Sequence, residues 1–482
     1  MFTSDRWNLS LLFHSSSAVL SKFQRKATVC LRSFRFDCAG KCAVGRVSDV
    51  KMTIIGAGYV GLSTALGFAH AGHETILLER DPERLSKLRA GRCPFYEPHA
   101  QEWLSELANS GMISATATPS KAIPFGDIIW VAVNTPARTD HLFDLSALEG
   151  AINDIIKYRT RPAIVVVRST VTAGTCRQVL QKIRLENPAL ELSLVFNPEF
   201  LREGHAIRDF MDPSRVILGT ENGEMPVLLC EVYKSLGIQD TRIISATFED
   251  AEVIKQASNS FLAIKLTYVN ELADYCRRIS ANIHTVTHCM GLDERIAPGY
   301  MDNGLGYGGA CLPKDTEALA TDAARNGTPL TVLEQAVSAN NAQIVSAADT
   351  VRRHLPPNSV LGILGLSFKP GSGDLRCSPA WMVLRMLIDD QVYRFRLYDP
   401  YFEGQLIDGE PLPTCIQICS SCNEAAENVD GLIILTAHKQ FRTVDLRSLR
   451  LQMRGSLLFD FFDLFSEENV RASEMIRVTK TD

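Results

Sequence analysis

The sequence predicts an α/β protein in which two parallel-sheet domains, each wound with helices, are joined by a central helical domain containing one long helix. Three observations lead there. Short apolar runs alternate with amphipathic segments over 51–245. A stretch free of Gly and Pro follows, with apolar residues at helical spacing. Alternation of the first kind then returns from about residue 345. Strands covered by helices on both faces read as continuous apolar runs, which is the signature of a parallel sheet.

The first fifty residues stand apart. They hold eight basic residues (Arg6, Lys22, Arg25, Lys26, Arg32, Arg35, Lys41, Arg46) against Asp5, Asp37 and Asp49, with serines at 15–17 and no apolar periodicity. A basic, Ser-rich, acid-poor leader fits a transit peptide. We expect residues 1–50 to be a disordered extension, or the product of a start assigned too early with Met52 as the real one.

Over 51–245, "MTIIGAG", "ETILLER", "DIIWVAV", "AIVVVRS", "LSLVFNP" and "RVILGT" read as buried strands of a dinucleotide-binding domain. The central domain, 246–344, opens with "TFEDAEVIKQASNSFLAIKLTYVNELADYCRR", one long helix after a Thr cap. It also contains the Gly-rich loop "GYGGACLPKD". From 345 to 482, "VLGILGL", "RFRLYDP", "GLIILTA" and "SLLFDFF" give a second, smaller α/β domain.

Composition narrows the partners. A chain that is 46% hydrophobic and 22% charged, with net charge −5, points to neither nucleic acid nor a membrane surface. No apolar run approaches the roughly 18 residues needed to span a bilayer. The 13 cysteines show no disulfide framework, so a cytoplasmic location is expected. Cys415, Cys419 and Cys422 in "CIQICSSC" read either as metal ligands or as ordinary thiols. A structural zinc site wants four ligands and no second Cys/His pair is near, so no metal is expected.

"IIGAGYVG" places Gly56, Gly58 and Gly61 at G-x-G-x-x-G spacing between a strand and an apolar helix. Such glycines make a tight turn and let the backbone approach a pyrophosphate at the helix N-terminus. Glu79 ends the next strand, where an acid binds the ribose 2′-hydroxyl and repels a 2′-phosphate, so NAD is expected over NADP. Glu199 and Glu203 follow the strand "LSLVF", at a crevice-facing strand end or on a solvated helix face. Ser169 and Thr170 end another strand, as site hydroxyls or as helix caps. Lys255 and Asn259 lie one turn apart on the long helix, in a site or in solvent. Cys311, after two glycines and before Lys314 and Asp315, is a nucleophile or a buried structural thiol. Nearby positive charge and backbone amides would favour its thiolate.

Taken together, "GAGYVGL", "YEP", "STV", "NPEFLREG", "ASNSFLA", "GYGGACLPKDTEAL", "LGLSFKPGSGDLR" and "LYDPYF" occur in the order found in the UDP-glucose/GDP-mannose dehydrogenases. The chain resembles that family over roughly 51–465, which implies two Rossmann-like domains with the cleft between them and a homodimer built on the long helix. The family oxidises the C6 alcohol of a nucleotide sugar to the acid in two NAD-dependent steps, through an aldehyde and a cysteine thioester. The resemblance implies Cys311 as nucleophile and Lys255 and Asn259 as stabilisers of the oxyanion and alkoxide. It implies Asp315 and Thr170 as holders of the hydrolytic water, with Glu199 as general base. For the cofactor it implies the turn with Tyr59 and Val60, Glu79, Arg84, Thr135, Thr170, Glu203, Lys314 and Arg376. For the substrate it implies Glu199, Phe200, Leu201, Lys255, Asn259 and Arg295, the loop Leu305, Gly306, Tyr307 and Gly308, and Phe368 with Lys369.

There are departures. Phe461 and Phe462 stand where many UDP-glucose members carry Gly and an Arg that meets the sugar nucleotide. Cys377 replaces a Glu, and His99 a Gly. "GGAC" differs from the "GGHC" of relatives using UDP-N-acetyl sugars. The expected function is UDP-glucose 6-dehydrogenation to UDP-glucuronate for surface polysaccharide. The alternatives are GDP-mannose or another UDP-sugar and, in a different class, an inactive dinucleotide-binding scaffold.

Overall fold

The computed structural model describes residues 50–402 and 411–481, with the backbone alone of Arg35–Phe36, Cys42–Ala43, Leu406–Ile407 and Glu410. The expectation for the leader therefore lies outside the described residues.

The first sheet contains β1 (Met52–Ile55), β2 (Thr75–Leu78), β3 (Ile113–Thr116), β4 (Ile128–Val131), β5 (Ala163–Val167), β6 (Leu192–Phe196), β7 (Val216–Thr220) and β8 (Ile243–Thr247). Their spatial order is β3-β2-β1-β4-β5-β6-β7-β8. The first six are parallel, with Met52 opposite Thr75 on one side and Ile128 on the other. Chain order reverses at β1, where the Gly-rich turn begins, and ligands bind at such switch points. One difference from the sequence reading is direction. β7 pairs antiparallel to β6 through Phe196 and Gly219, and β8 runs parallel to β7. A buried apolar run carries no sign of which way it points.

Apolar cores lie on both faces of this sheet, one holding Phe68 and Trp130, the other Phe196 and Phe248. The long helix, Phe248–Arg278, starts at a capping box. The Asp250 N–H donates to Thr247 Oγ1 at 3.2 Å, and the Thr247 N–H donates back to the Asp250 carboxylate at 3.4 Å. Helices Leu312–Arg325 and Thr331–His354 pack along it. The second of these runs through residues 344 and 345 and sends Ile344, Ala347 and Val351 into the core of the second sheet.

That sheet contains β9 (Val360–Leu364), β10 (Arg394–Tyr398), β11 (Ile416–Ile418), β12 (Gly431–Ile434), β13 (Leu457–Asp460) and β14 (Ile476–Val478). It is wholly parallel in the order β11-β10-β9-β12-β13-β14. Among the described residues no helix is long and apolar enough to cross a membrane. Cys419 and Cys415 pack into or against apolar cores, and among the described residues no three His, Cys, Asp or Glu side chains gather as a metal site.

Candidate active site

The turn after β1 accepts only glycine at two places. Gly56 has φ 93°, and a Cβ there would lie 2.7 Å from the Ala132 carbonyl oxygen. A Cβ at Gly61 would lie 1.9 Å from the Gly56 carbonyl oxygen. Gly58 instead opens on a cavity, its nearest neighbour being Asn134 Oδ1 at 3.9 Å. The helix Tyr59–His70 begins there with no side-chain cap and no acid in its first turn, leaving its amides available to a pyrophosphate. Tyr59 stacks on Phe95 with centroids 3.9 Å apart, and Val60 lines the same cavity.

Glu79 ends β2 with its carboxylate folded over the turn. It accepts from the N–H groups of Ala57 (3.0 Å), Arg80 (2.8 Å) and Asp81 (2.9 Å), and from Arg84 at 3.0 Å. An acid fixed there, with Arg84 beside it, suits the diol of an NAD ribose.

The cavity has a volume of about 640 Å³ and is lined by residues following strands of both sheets, together with Ala310, Cys311 and Lys314 from the central domain. Cys311 is the N-cap of helix Leu312–Arg325. Its thiol is packed inward, and that burial pushes its pKa up to about 11; Glu199 and Asp315 add to the shift while Lys255 and Lys314 oppose it. Positive charge is present, as expected from sequence. Desolvation outweighs it, so the free protein carries a thiol.

Lys255 is 2% exposed and donates to the carbonyl oxygen and to Oε1 of Glu199, both at 2.7 Å. The Leu201 N–H donates to Glu199 Oε2 at 2.7 Å. Burial works to raise Glu199, but Lys255 and that N–H hold it below the usual carboxylate range. Burial likewise works to lower Lys255, yet Glu199, Asp315 and Cys311 leave it raised. Both therefore stay charged at neutral pH. One turn further, Asn259 donates to Asp315 Oδ2 at 2.6 Å, and Lys314 donates to Oδ1 at 2.5 Å. Thr135 Oγ1 donates to the Thr170 carbonyl at 2.7 Å, and both threonines line the cavity.

The two sheets are tied together across this cleft. Arg376 donates to Glu203 at 2.6 Å and forks onto Asp374, while Lys369 donates to the Glu203 carbonyl at 2.7 Å. Burial and Asp374 push Glu203 up to about 8. Against burial, Arg376 keeps Asp374 below the usual carboxylate range. Phe368 packs on Gly309, where a Cβ would sit 2.6 Å from its ring.

A second cavity of about 280 Å³, lined by Phe200 and Leu201, meets the first at Arg168 and Glu199. Leu305 and Tyr307 are buried, and Asn340 grips Tyr307 by both its N–H (2.7 Å) and its carbonyl (3.2 Å). Gly306 has φ 125°, and Gly308 lies so close to Cys377 that a Cβ would be 2.3 Å from its carbonyl oxygen. Arg295 is not drawn in: its side chain is 88% exposed, pairs with Asp293, and lines neither cavity.

Three residues escaped the sequence reading. Arg168, which lines both cavities, donates to Asn197 Oδ1 and Tyr233 Oη. Glu97 accepts the N–H groups of Gly204 (2.8 Å) and Ala206 (2.7 Å), fixing the loop that carries Glu203. Asp374 holds Arg376. Glu97 sits in the "YEP" motif and Asp374 in "GDLR", so the signal for those two was present without a role attached.

A switch-point turn built to take a dinucleotide, facing a second sheet domain across the same cleft, defines a dinucleotide-binding protein. The chain belongs to the UDP-glucose/GDP-mannose dehydrogenase family. Residues 50–237 match that family's NAD binding domain, 249–342 its central domain and 362–467 its UDP binding domain. It is thus an NAD-dependent nucleotide-sugar dehydrogenase. A UDP-glucose 6-dehydrogenase of Rhizobium meliloti is 36% identical over 437 residues, 87% of this chain and 97% of the relative. One of Pseudomonas aeruginosa is 33% identical, over 86% and 94%. The solved structure of a UDP-glucose dehydrogenase from Pyrobaculum islandicum superposes with a TM-score of 0.80 at 31% identity, covering 87% of this chain and 96% of that one.

Proposed function

We propose that the protein oxidises the C6 alcohol of UDP-glucose to the carboxylate of UDP-glucuronate, with Cys311 holding the intermediate. One observation carries this reading: Glu199, held by the buried Lys255 behind it, and the Cys311 thiol line the same cavity onto which the Gly58 turn opens. NAD would be held by the Gly56–Gly61 turn, Glu79, Arg84, Thr135 and Arg376, and would serve as the hydride acceptor for both oxidations.

The chain's own groups do the rest. The Lys255 ammonium and the Asn259 amide steady the oxygen on C6 as its hydroxyl proton passes to water and its C–H hydrogen leaves as hydride to the cofactor, giving the aldehyde. The Cys311 sulfur then adds to the aldehyde carbon. The S–C bond forms as the C–O π bond opens, and the thiol proton passes to that oxygen. The tetrahedral adduct carries a hydroxyl beside the C–H bond that the aldehyde kept. Loss of that hydrogen as hydride to the cofactor, and of the hydroxyl proton to water, gives the thioester. Because the thiol sits near 11, this addition depends on Lys255 stabilising the developing negative charge. The resulting thioester is cleaved by a water held at Asp315 and Thr170, whose proton goes to the ionised Glu199. The C–S bond breaks and Cys311 leaves with a proton.

This reading places the reaction in the cytoplasm, supplying surface polysaccharide synthesis. It also implies a homodimer. Phe261, Tyr268 and Tyr275, seven residues apart on the long helix, are 67%, 54% and 57% exposed and form one apolar face. The test is NADH absorbance with UDP-glucose, GDP-mannose and UDP-N-acetylglucosamine in parallel. Turnover is expected with UDP-glucose first. Preference for GDP-mannose would overturn the substrate, and no NADH with any of the three would favour the inactive scaffold.

A further inference from the structure

Three elements grip Gly304, the residue that opens the loop Leu305–Gly308. Asn270 on the long helix accepts its N–H at 2.7 Å. Lys480, just past β14, donates to its carbonyl at 2.8 Å. The Phe462 ring lies against its Cα, so close that a Cβ would sit 2.6 Å from the ring. Lys480 is buried, and its ammonium also donates to Gln343 and lies 3.9 Å from Asp274. Arg277 completes the corner, pairing with Asp274 at 2.6 Å and Asp463 at 2.7 Å, while Asn303 donates to Asp463 at 3.0 Å.

None of this cluster touches the reacting atoms as described above. A buried ammonium is unfavourable unless its donors are met. Here they are met by the loop backbone and by a neutral amide, not by a close carboxylate. A neutral apolar side chain would fill the space more cheaply but would release the Gly304 carbonyl.

We propose that Lys480 is a positioning residue, whose ammonium fixes the Gly304 carbonyl and through it the run Leu305–Gly308 in the shape that receives the nucleotide sugar. The proposal rests on the reading of that run as substrate-holding. Burial holds Lys480 down at about 8, with Asp274 and Asp463 opposing that shift and Arg277 adding to it. As pH rises through about 8, the ammonium becomes an amine and the charge-assisted bond to Gly304 weakens.

The experiment uses the full chain, with Lys480→Met and Lys480→Arg, and measures UDP-glucose and NAD binding separately by calorimetry. At pH 7 Lys480→Met is expected to bind UDP-glucose about tenfold more weakly, the scale of a lost hydrogen bond to a charged group, with NAD affinity unchanged. Wild-type UDP-glucose affinity should fall between pH 7 and pH 9 by more than that of Lys480→Arg, which keeps its charge throughout. Equal UDP-glucose binding by wild type and Lys480→Met overturns the proposal and leaves the function standing. If Lys480→Met loses NAD as well, the comparison of wild type with Lys480→Arg decides, and identical pH profiles overturn the proposal. A wild type that binds no nucleotide sugar brings down the functional reading and this proposal together.

Discussion

Cys311 illustrates what a single residue's surroundings decide. A neighbouring lysine is visible in the sequence, but the inward packing of the thiol comes from residues far along the chain, among them Glu199 and Lys255. Burial and the Glu199 charge hold it as a thiol near 11, with Lys255 opposing them. Alkylation of the free protein by iodoacetamide should therefore be slow at pH 7 and rise steadily to pH 10. A reactivity plateau below pH 8 would show a thiolate at rest. Cys311→Ser should lose acid production by on the order of a thousandfold, since a serine hydroxyl is far harder to activate than a thiol, while NAD binding persists. The position of Glu79 at the turn was legible because it depends on one strand end and one turn. NAD should be preferred over NADP by at least about tenfold, and Glu79→Ala should narrow that gap by relieving repulsion of the 2′-phosphate. An unchanged preference in that variant would place the ribose elsewhere.

At the scale of elements, local signals were read and long-range ones were not. A Thr cap announced the long helix, and the helix begins just after Thr247. β3 was missed because "ISAT" is short and has only two buried positions. At β7 the long helix passes so close to Gly219 that a Cβ would be 2.7 Å from the Ala251 Cβ, and neither that approach nor the reversed direction of the strand shows in the pattern. The same holds for the loop carrying Asp374 and Arg376, which meets Glu203 across 173 residues of sequence. That junction carries its own test. Glu203 is neutral below about 8 and ionises above it. The added charge beside Asp374 disfavours the cofactor pyrophosphate, so NAD affinity should fall as pH rises through that value. Glu203→Gln should flatten the fall. A fall of the same size in that variant would assign the titration to another group.

For the whole molecule, two sheets and a helical centre close on one cleft, and helix Thr331–His354 serves both the centre and the second sheet. The layout was legible because each part has its own periodicity. The closure came only through the family resemblance, since it rests on side chains such as Lys369 and Arg376 reaching the other domain, which periodicity does not show. The exposed face of Phe261, Tyr268 and Tyr275 should pair two chains. Tyr268→Glu should shift elution in size-exclusion chromatography from a dimer toward a monomer, and an unchanged dimer would place the interface on another surface.

The most direct test of the covalent route is stoichiometric. With limiting UDP-glucose and excess NAD, the amount of NADH formed is compared with the sugar nucleotide consumed, with hydroxylamine present to trap any free aldehyde. Retention of the aldehyde on Cys311 requires two NADH per UDP-glucose and no trapped aldehyde. One NADH per UDP-glucose, with the aldehyde recovered as its oxime, would contradict it.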